Sequence, residues 1–253
     1  MKKNERFKFI LEELHKHKTV QVKHLSETFN VSMETIRRDL EELEADQFLK
    51  RVYGGAIAIK KNTQAKNFIE RKTVHIKEKQ NLARNCVSLV NEGDFIAFDA
   101  STTNLTIVQE LMNHFKQLTV LTNDLLNAQQ MALNTQWKVL LPGGEINNGE
   151  LFIGGASAIQ YIERFQIDTF FMSVSGFTPE LGFMDYGFEE YEVKTAMFRN
   201  ANQIYAVADH HKFGQHAMIK ICHAKEVSGV VTDEEVDKET ILFFEKNKYP
   251  LYY

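Results

Sequence analysis

Cysteine is nearly absent: two residues, Cys86 and Cys222, in a chain of 253. Neither has a partner at ligand spacing, so the sequence offers no disulfide framework and no cysteine-based metal knot. Cys86 falls in a helical pattern and Cys222 in a short apolar run; both read as buried structural thiols. Long hydrophobic runs are missing as well. No apolar stretch approaches the roughly 20 residues that cross a bilayer, and no secretory signal is seen, so a reducing cytoplasm is expected and no membrane partner. The nine histidines show no metal spacing, and the adjacent His210 and His211 would point to opposite faces of a strand. No metal and no cofactor are expected.

An excess of positive charge is lacking too. Lys and Arg number 30 against 34 Asp and Glu, a formal net charge of −4, which taken whole argues against a nucleic-acid partner. The distribution argues the other way. Residues 1–62 hold 13 basic and 10 acidic residues, whereas the remainder holds 17 and 24. A mildly basic head on an acidic body fits a small DNA-binding domain joined to a module that stays off DNA. So small an excess needs a homodimer or homotetramer to sum several phosphate contacts. The length and a 43% hydrophobic content leave room for two cored domains.

The head carries the densest signal. Glu5 to Lys16 places Phe9, Ile10 and Leu14 on one face, as a first helix would. Thr19 to Val22 suits a brief strand or turn, and His24 to Phe29 a second short helix closed by Asn30, a residue tolerated at helix ends. Ser32 is a good N-cap for the next helix, with Val31 and Ile36 at the positions of a hydrophobic staple. Ile36, Leu40 and Leu43 form one buried stripe. That leaves Ser32, Met33, Glu34, Thr35, Arg37 and Arg38 near the helix start, where a polar first turn and paired arginines suit a major groove. Phe48 to Ile59 alternates apolar and basic residues around Gly54-Gly55, a β-hairpin pattern. Placed after a recognition helix it is a wing, with Lys50 and Arg51 in reach of phosphates.

Val31-Ser32, Thr35-Ile36-Arg37-Arg38-Asp39-Leu40, Leu43-Glu44 and Arg51-Val52-Tyr53-Gly54-Gly55-Ala56 together resemble the DNA-binding signature of DeoR-type bacterial transcriptional regulators. The resemblance implies a winged helix-turn-helix at residues 1–59 and operator DNA as partner, with Tyr53, Gly54 and Gly55 in the wing.

A polar, aperiodic stretch follows, and residues 60–74 read as a linker. From 75 to 253 the pattern changes. Ile76–Val90 is helical. Apolar runs then fall at Phe95–Phe98, Leu118–Leu121, Val139–Leu141, Thr169–Val174, Ile204–Val207 and Val227–Val231. Helical patterns lie at Leu105–Phe115, Leu125–Leu133, Ala156–Phe165 and Glu189–Asn202. This alternation predicts an α/β domain with a mainly parallel sheet covered on both faces. The aromatic end, Tyr249 to Tyr253, is expected to dock on its own domain.

Ligands in such sheets bind beyond the carboxyl ends of strands. After Phe95–Phe98 come Asp99, Ala100, Ser101, Thr102 and Thr103, and a helix starts there. Three hydroxyls, free first-turn amides and the positive end of a helix dipole make an anion site suited to phosphate. Asp99 suits a sugar hydroxyl or loop bracing. Other strand ends supply Thr122-Asn123, Gly143-Gly144, Ser175-Gly176, and Asp209 with Lys212, whose ammonium meets phosphate as a point charge. In order, Asp99 to Thr103, Thr122-Asn123, Gly143-Gly144 and Asp209 to Phe213 resemble the effector domain of the same family, similar in fold to ribose-5-phosphate isomerase. Ser101 stands where the family usually has glycine.

The resemblance implies a repressor of a carbohydrate-utilisation operon, released from its operator by a phosphorylated sugar or sugar derivative. An activator with the same sensor is an alternative. So is an isomerase-like enzyme using Glu192 and Lys194 for acid-base work, although no acid of that helix sits at a strand end.

Overall fold

The computed structural model describes residues 3–45, 49–58 and 71–253. The chain divides into two compact units, 1–65 and 66–253. Of the expected linker, residues 60–70 lie outside the described residues; residues 71 and 72 are helical and 73–75 form a turn.

The first unit runs α1 (Lys3–His17), β1 (Thr19–Gln21), α2 (Val22–Phe29), α3 (Met33–Ala45), β2 (Leu49–Val52) and β3 (Gly55–Ala58). Local chemistry sets its boundaries. Asn30 ends α2 in the left-handed conformation (φ 52, ψ 49), which asparagine adopts more readily than most residues. Ser32 Oγ accepts the Thr35 amide at 3.1 Å, capping α3. Ile36 is buried, and Val31 packs on the same cluster as Ile10, Leu25, Phe29, Leu40 and Leu43. Each such aliphatic side chain, fully buried, contributes about 1.5–3 kcal/mol.

The wing differs from the expected hairpin. β3 pairs antiparallel with both β2 and β1, giving a three-stranded sheet in the order β1-β3-β2. Val52 pairs with Gly55, so the turn is Tyr53-Gly54, with Gly54 at φ +79. Gly55 lies inside the sheet, where a Cβ would overlap the Val20 carbonyl. Phe48 and Ile59, at the ends of the expected hairpin, lie outside the described residues.

The second unit is built on seven parallel strands. In chain order its elements are α4 (Ile76–Val87), β4 (Phe95–Phe98), α5 (Thr102–Leu111), β5 (Thr119–Thr122), α6 (Leu125–Asn134), β6 (Lys138–Leu140), β7 (Glu145–Asn147), β8 (Phe152–Gly154), α7 (Ala156–Ile162), β9 (Ile167–Ser173), β10 (Gly176–Thr178), β11 (Gly182–Asp185), α8 (Phe188–Arg199), β12 (Ala201–Val207), β13 (Ile219–Cys222), β14 (Gly229–Val231), α9 (Lys238–Lys246) and β15 (Leu251–Tyr252). The sheet order is β15-β14-β12-β9-β4-β5-β6. Successive residues alternate between its faces: Phe170 and Met172 pack with α7 and α8 residues such as Ile162 and Val193. Phe98 and Phe171 pack on the other side with Leu82, Cys86, Ile107 and Met131.

Two small sheets were not anticipated. β7 and β8 form a two-stranded ribbon, and β10-β11-β13 a second antiparallel sheet. The aromatic end supplies β15, parallel to β14, with Tyr252 against Tyr205, so it docks on its own domain as expected. From β4 the chain winds outward to β5 and β6, then returns to β9 on the other flank of β4. The ends of β4 and β9 therefore flank a topological switch point, where open α/β sheets form their ligand crevice.

Candidate functional site

On α3, burial of Ile36, Leu40 and Leu43 turns Ser32, Met33, Glu34, Arg37 and Arg38 outward as one exposed face, with Thr35 half-buried beside them. Glu34 lies 3.4 Å from the Arg37 guanidinium and 4.0 Å from that of Arg38. Such exposed pairs hold weakly and exchange readily for phosphate. Asp39, by contrast, is buried and takes both a 2.6 Å and a 2.9 Å hydrogen bond from Arg6 on α1. That fork sets the rotation of α3, and the Asp39 hydrogen bond holds the Arg6 guanidinium above its usual pKa. On the wing Lys50 is exposed. Arg51 reaches Glu41 at 3.2 Å and Glu44 at 3.9 Å, so its guanidinium is already engaged by α3. Tyr53 stands fully exposed at the tip. Gly55 is buried between strands, so its part is packing rather than a direct DNA contact.

In the second unit an open cleft lies at the switch point. Ala100, Ser101, Thr102 and Thr103 line it from the end of β4, Ser173 to Ser175 from the end of β9, and Asp209 and Lys212 from the end of β12. Arg71, Val74, His75 and Lys79 add a wall from the start of the unit, and Asp185 and Glu190 another. Ser101 caps α5, accepting the Asn104 amide at 2.9 Å. The amides of Thr102 and Thr103, in the first turn, fall among those without an acceptor inside a helix. Lys79 and Lys212 thus share the cleft with the carboxyl groups of Asp185, Glu190 and Asp209.

Residues 6–62 match the DeoR-like helix-turn-helix domain and residues 74–234 the DeoR C terminal sensor domain. The chain belongs to the DeoR family. It is 32% identical over 247 residues to the HTH-type transcriptional regulator GolR of Listeria innocua, covering 98% of this chain and 97% of that protein. To the glycerol-3-phosphate regulon repressor of Escherichia coli it is 30% identical over 233 residues, 92% of each chain. Among solved structures, ribose 5 phosphate isomerase A from Neisseria gonorrhoeae is similar over 57% of this chain and 56% of that one, with a TM-score of 0.41 and 11% identity. This DeoR-family protein is a DNA-binding transcriptional regulator.

Beneath the cleft of this DeoR-family regulator lies a buried ion network. Lys194 is fully buried, 3.1 Å from Asp99, hydrogen-bonded to Asp185 and donating to the Ser173 carbonyl at 2.7 Å. Burial alone would lower its pKa; Asp185 and then Asp99 outweigh that and hold it well above the ordinary lysine value. Burial likewise pushes Asp185 up, and Lys194 more than offsets it, leaving that carboxylate below its usual range. Lys194 therefore stays charged and engaged. On α8, Glu189 and Glu192 are exposed, whereas Lys194 is core. Half-buried Glu190 has its carboxyl raised well above normal by desolvation, then by Asp185.

Several expected effector residues brace the cleft rather than line it. Asp99 accepts the Ser173 amide at 2.8 Å and Asn104 Nδ2 at 3.0 Å, a loop-bracing role. Thr122 Oγ1 accepts the Asp124 amide at 3.1 Å, and Asn123 donates to the Ile153 carbonyl at 3.2 Å. A Cβ on Gly144 would overlap the Gly154 carbonyl and one on Gly176 the Gln215 carbonyl, while Gly143 faces open space. The close approaches of Gly144 and Gly176 are thus to neighbouring backbone. Ser175 Oγ, at the rim, donates to Asp185 at 2.6 Å.

Arg71, His75 and Lys79 went unnoticed in the sequence. Lys79 shares the apolar face of α4 with Leu82, Ala83 and Cys86, and a lysine at a core position of a helical stripe is the signal that marks it. Desolvation lowers it to about 8. His75 is lowered by burial and then by the proximity of His211. His210 to Lys212 form a 3-10 turn, not a strand, so the two histidines do not point to opposite faces: their rings lie 3.8 Å apart. Among the described residues no helix is long and apolar enough to cross a membrane.

Proposed function

We propose that this regulator is a repressor that acts in the cytoplasm as a homodimer or homotetramer and leaves its operator when a phosphorylated sugar or sugar derivative fills the cleft. One observation carries the reading: three hydroxyl residues at the start of α5 face the same cleft as Lys79 and Lys212. Helix amides, hydroxyls and two ammonium groups bind phosphate. The Asp185 carboxylate and the Glu190 carboxyl group, on another wall, hydrogen-bond to sugar hydroxyls. The name of the Escherichia coli relative, a repressor of a glycerol-3-phosphate regulon, supports both the sign of regulation and the phosphate. No catalysis is assigned, because Lys194, the candidate base, is saturated by Asp99, Asp185 and a carbonyl.

Release follows from linkage: an effector that prefers the conformation with misplaced DNA heads weakens operator binding by that preference, and tenfold needs about 1.4 kcal/mol. The test is a thermal-shift screen of sugars against their phosphates, with inorganic phosphate as control. A phosphorylated sugar at about 100 times its Kd adds roughly 2.7 kcal/mol and raises the Tm by several degrees. A shift for one phosphate ester, absent for its free sugar and lost in Thr102→Val, is expected. No shift with any phosphorylated compound overturns the reading.

A further inference from the structure

At the rim of the cleft the His75 and His211 rings lie 3.9 Å apart, tilted by 40°. Glu78 stands three residues after His75 on α4. One ligand atom from each of the three falls within 4.8 Å of the other two. The His210 ring also lies against His211, with centroids 3.8 Å apart, but its Nδ1 lies 2.7 Å from Asp233 and its amide donates to the same carboxylate, which anchors the turn and engages that imidazole outside the group. Two imidazoles and a carboxylate form a donor set of the zinc class. Tetrahedral bonds of about 2.0–2.2 Å require ligand atoms about 3.3 Å apart. Both histidines are exposed, so rotamer changes bring the group to that spacing without disturbing the core.

A second observation points to a ligand at this end. Asp209, two residues before His211, is 1% exposed, lines the cleft with His75, and its Oδ1 has no hydrogen-bond partner among the described residues. A buried carboxylate oxygen without a partner is costly unless a cation or donor meets it. Its charge also offsets Lys79 and Lys212 and makes the rim tolerant of a metal ion.

We propose that His75, Glu78 and His211 bind a divalent zinc-class ion at the rim of the cleft. Three protein ligands leave one coordination position open, and that position faces an anionic oxygen of the cleft's occupant. The open-position half rests on the effector reading; the metal site does not.

The experiment titrates the untagged, chelator-treated full chain with Zn²⁺ alone, by calorimetry. One equivalent per chain is expected, weakened at least tenfold in His75→Ala and in His211→Ala, with Glu78→Gln as a milder third variant. His114→Ala, a surface histidine elsewhere, should bind as wild type does. No zinc binding, or binding unchanged in both His75 and His211 variants, overturns the site. Inorganic phosphate is then titrated with and without zinc, and tighter binding with zinc is expected. Unchanged phosphate affinity overturns the open position. Absence of phosphate binding in both states, with zinc still bound, instead counts against the effector reading and leaves the metal site standing.

Discussion

Lys79 Nζ donates to Thr102 Oγ1 at 2.9 Å. The same ammonium donates to the Arg71 carbonyl at 2.9 Å and the Val74 carbonyl at 2.8 Å. All three of its N–H groups are therefore used: one on the hydroxyl loop that starts α5, two on the backbone at the start of the second unit. An anion held by Thr102 competes for this ammonium, and whatever it gains the 71–74 backbone loses.

The first prediction concerns that lysine. An anion in the cleft favours its charged form, so phosphate binding takes up a proton near pH 8, and affinity falls as pH rises above the Lys79 value of about 8. Lys79→Met should cut phosphate affinity about tenfold, ~1.4 kcal/mol, and remove the pH dependence. Calorimetry in buffers of different ionisation enthalpy reads both effects; affinity flat from about pH 7 to about pH 9 contradicts the assignment. For stability, the folded value of about 8 lies below the unfolded 10.5. The unfolded state then holds more protons between those values, so this lysine's contribution to stability rises with pH across that window.

Arg6→Ala should leave Asp39 buried and unpaired, at a cost of about 3–5 kcal/mol to the DNA-binding unit. Thermal unfolding followed by circular dichroism should show that loss. Replacing both partners by apolar residues of similar size should recover most of it.

Replacing Arg37 and Arg38 together by alanine should abolish operator retardation while the far-ultraviolet spectrum stays unchanged, since both side chains are exposed. A base-reading arginine contributes about 1–3 kcal/mol, while Lys50→Ala should weaken all sequences alike and lower the salt slope by about 1. Undiminished retardation in the double variant would rule out this docking.

The two wing glycines should behave differently. Gly54→Ala meets open space but positive φ, a strain of about 1 kcal/mol. Gly55→Ala drives a Cβ into the Val20 carbonyl and should cost about 3 kcal/mol, through lost β1–β3 pairing. Denaturant midpoints of the two variants give the comparison.

Both thiols should resist a disulfide reagent in the native state and react on unfolding. Burial raises Cys222 to about 12 and Cys86 well above its normal value, and the thiolate is the reactive form.

The DNA-reading head was legible in the residues because its determinants are local. Ser32 caps the Thr35 amide three residues on, Asn30 turns the chain at its own φ, and Ile36, Leu40 and Leu43 share a face by helical period. The parallel strands were legible for a related reason: both faces are covered, so each reads as an unbroken apolar run. β10, β11 and β13 were not legible: β10 and β11 form a hairpin whose strands are only three and four residues long, and β13 is defined by its pairing with β11, about forty positions earlier. The cleft divided in the same way. Ser101, Thr102 and Thr103 announced themselves at a strand end, and Asp209 and Lys212 did so less strongly. Lys194 stood out only as an acid-base candidate, because nothing nearby in sequence showed that Asp99, 95 positions earlier, would meet it in the core. His75 and His211 are equally remote and meet only through packing. Caps, turns and periodicity act over a few residues, so composition order alone determines them; ion pairing, burial and ligand geometry depend on which distant segments the core brings together, and only the tertiary structure decides that.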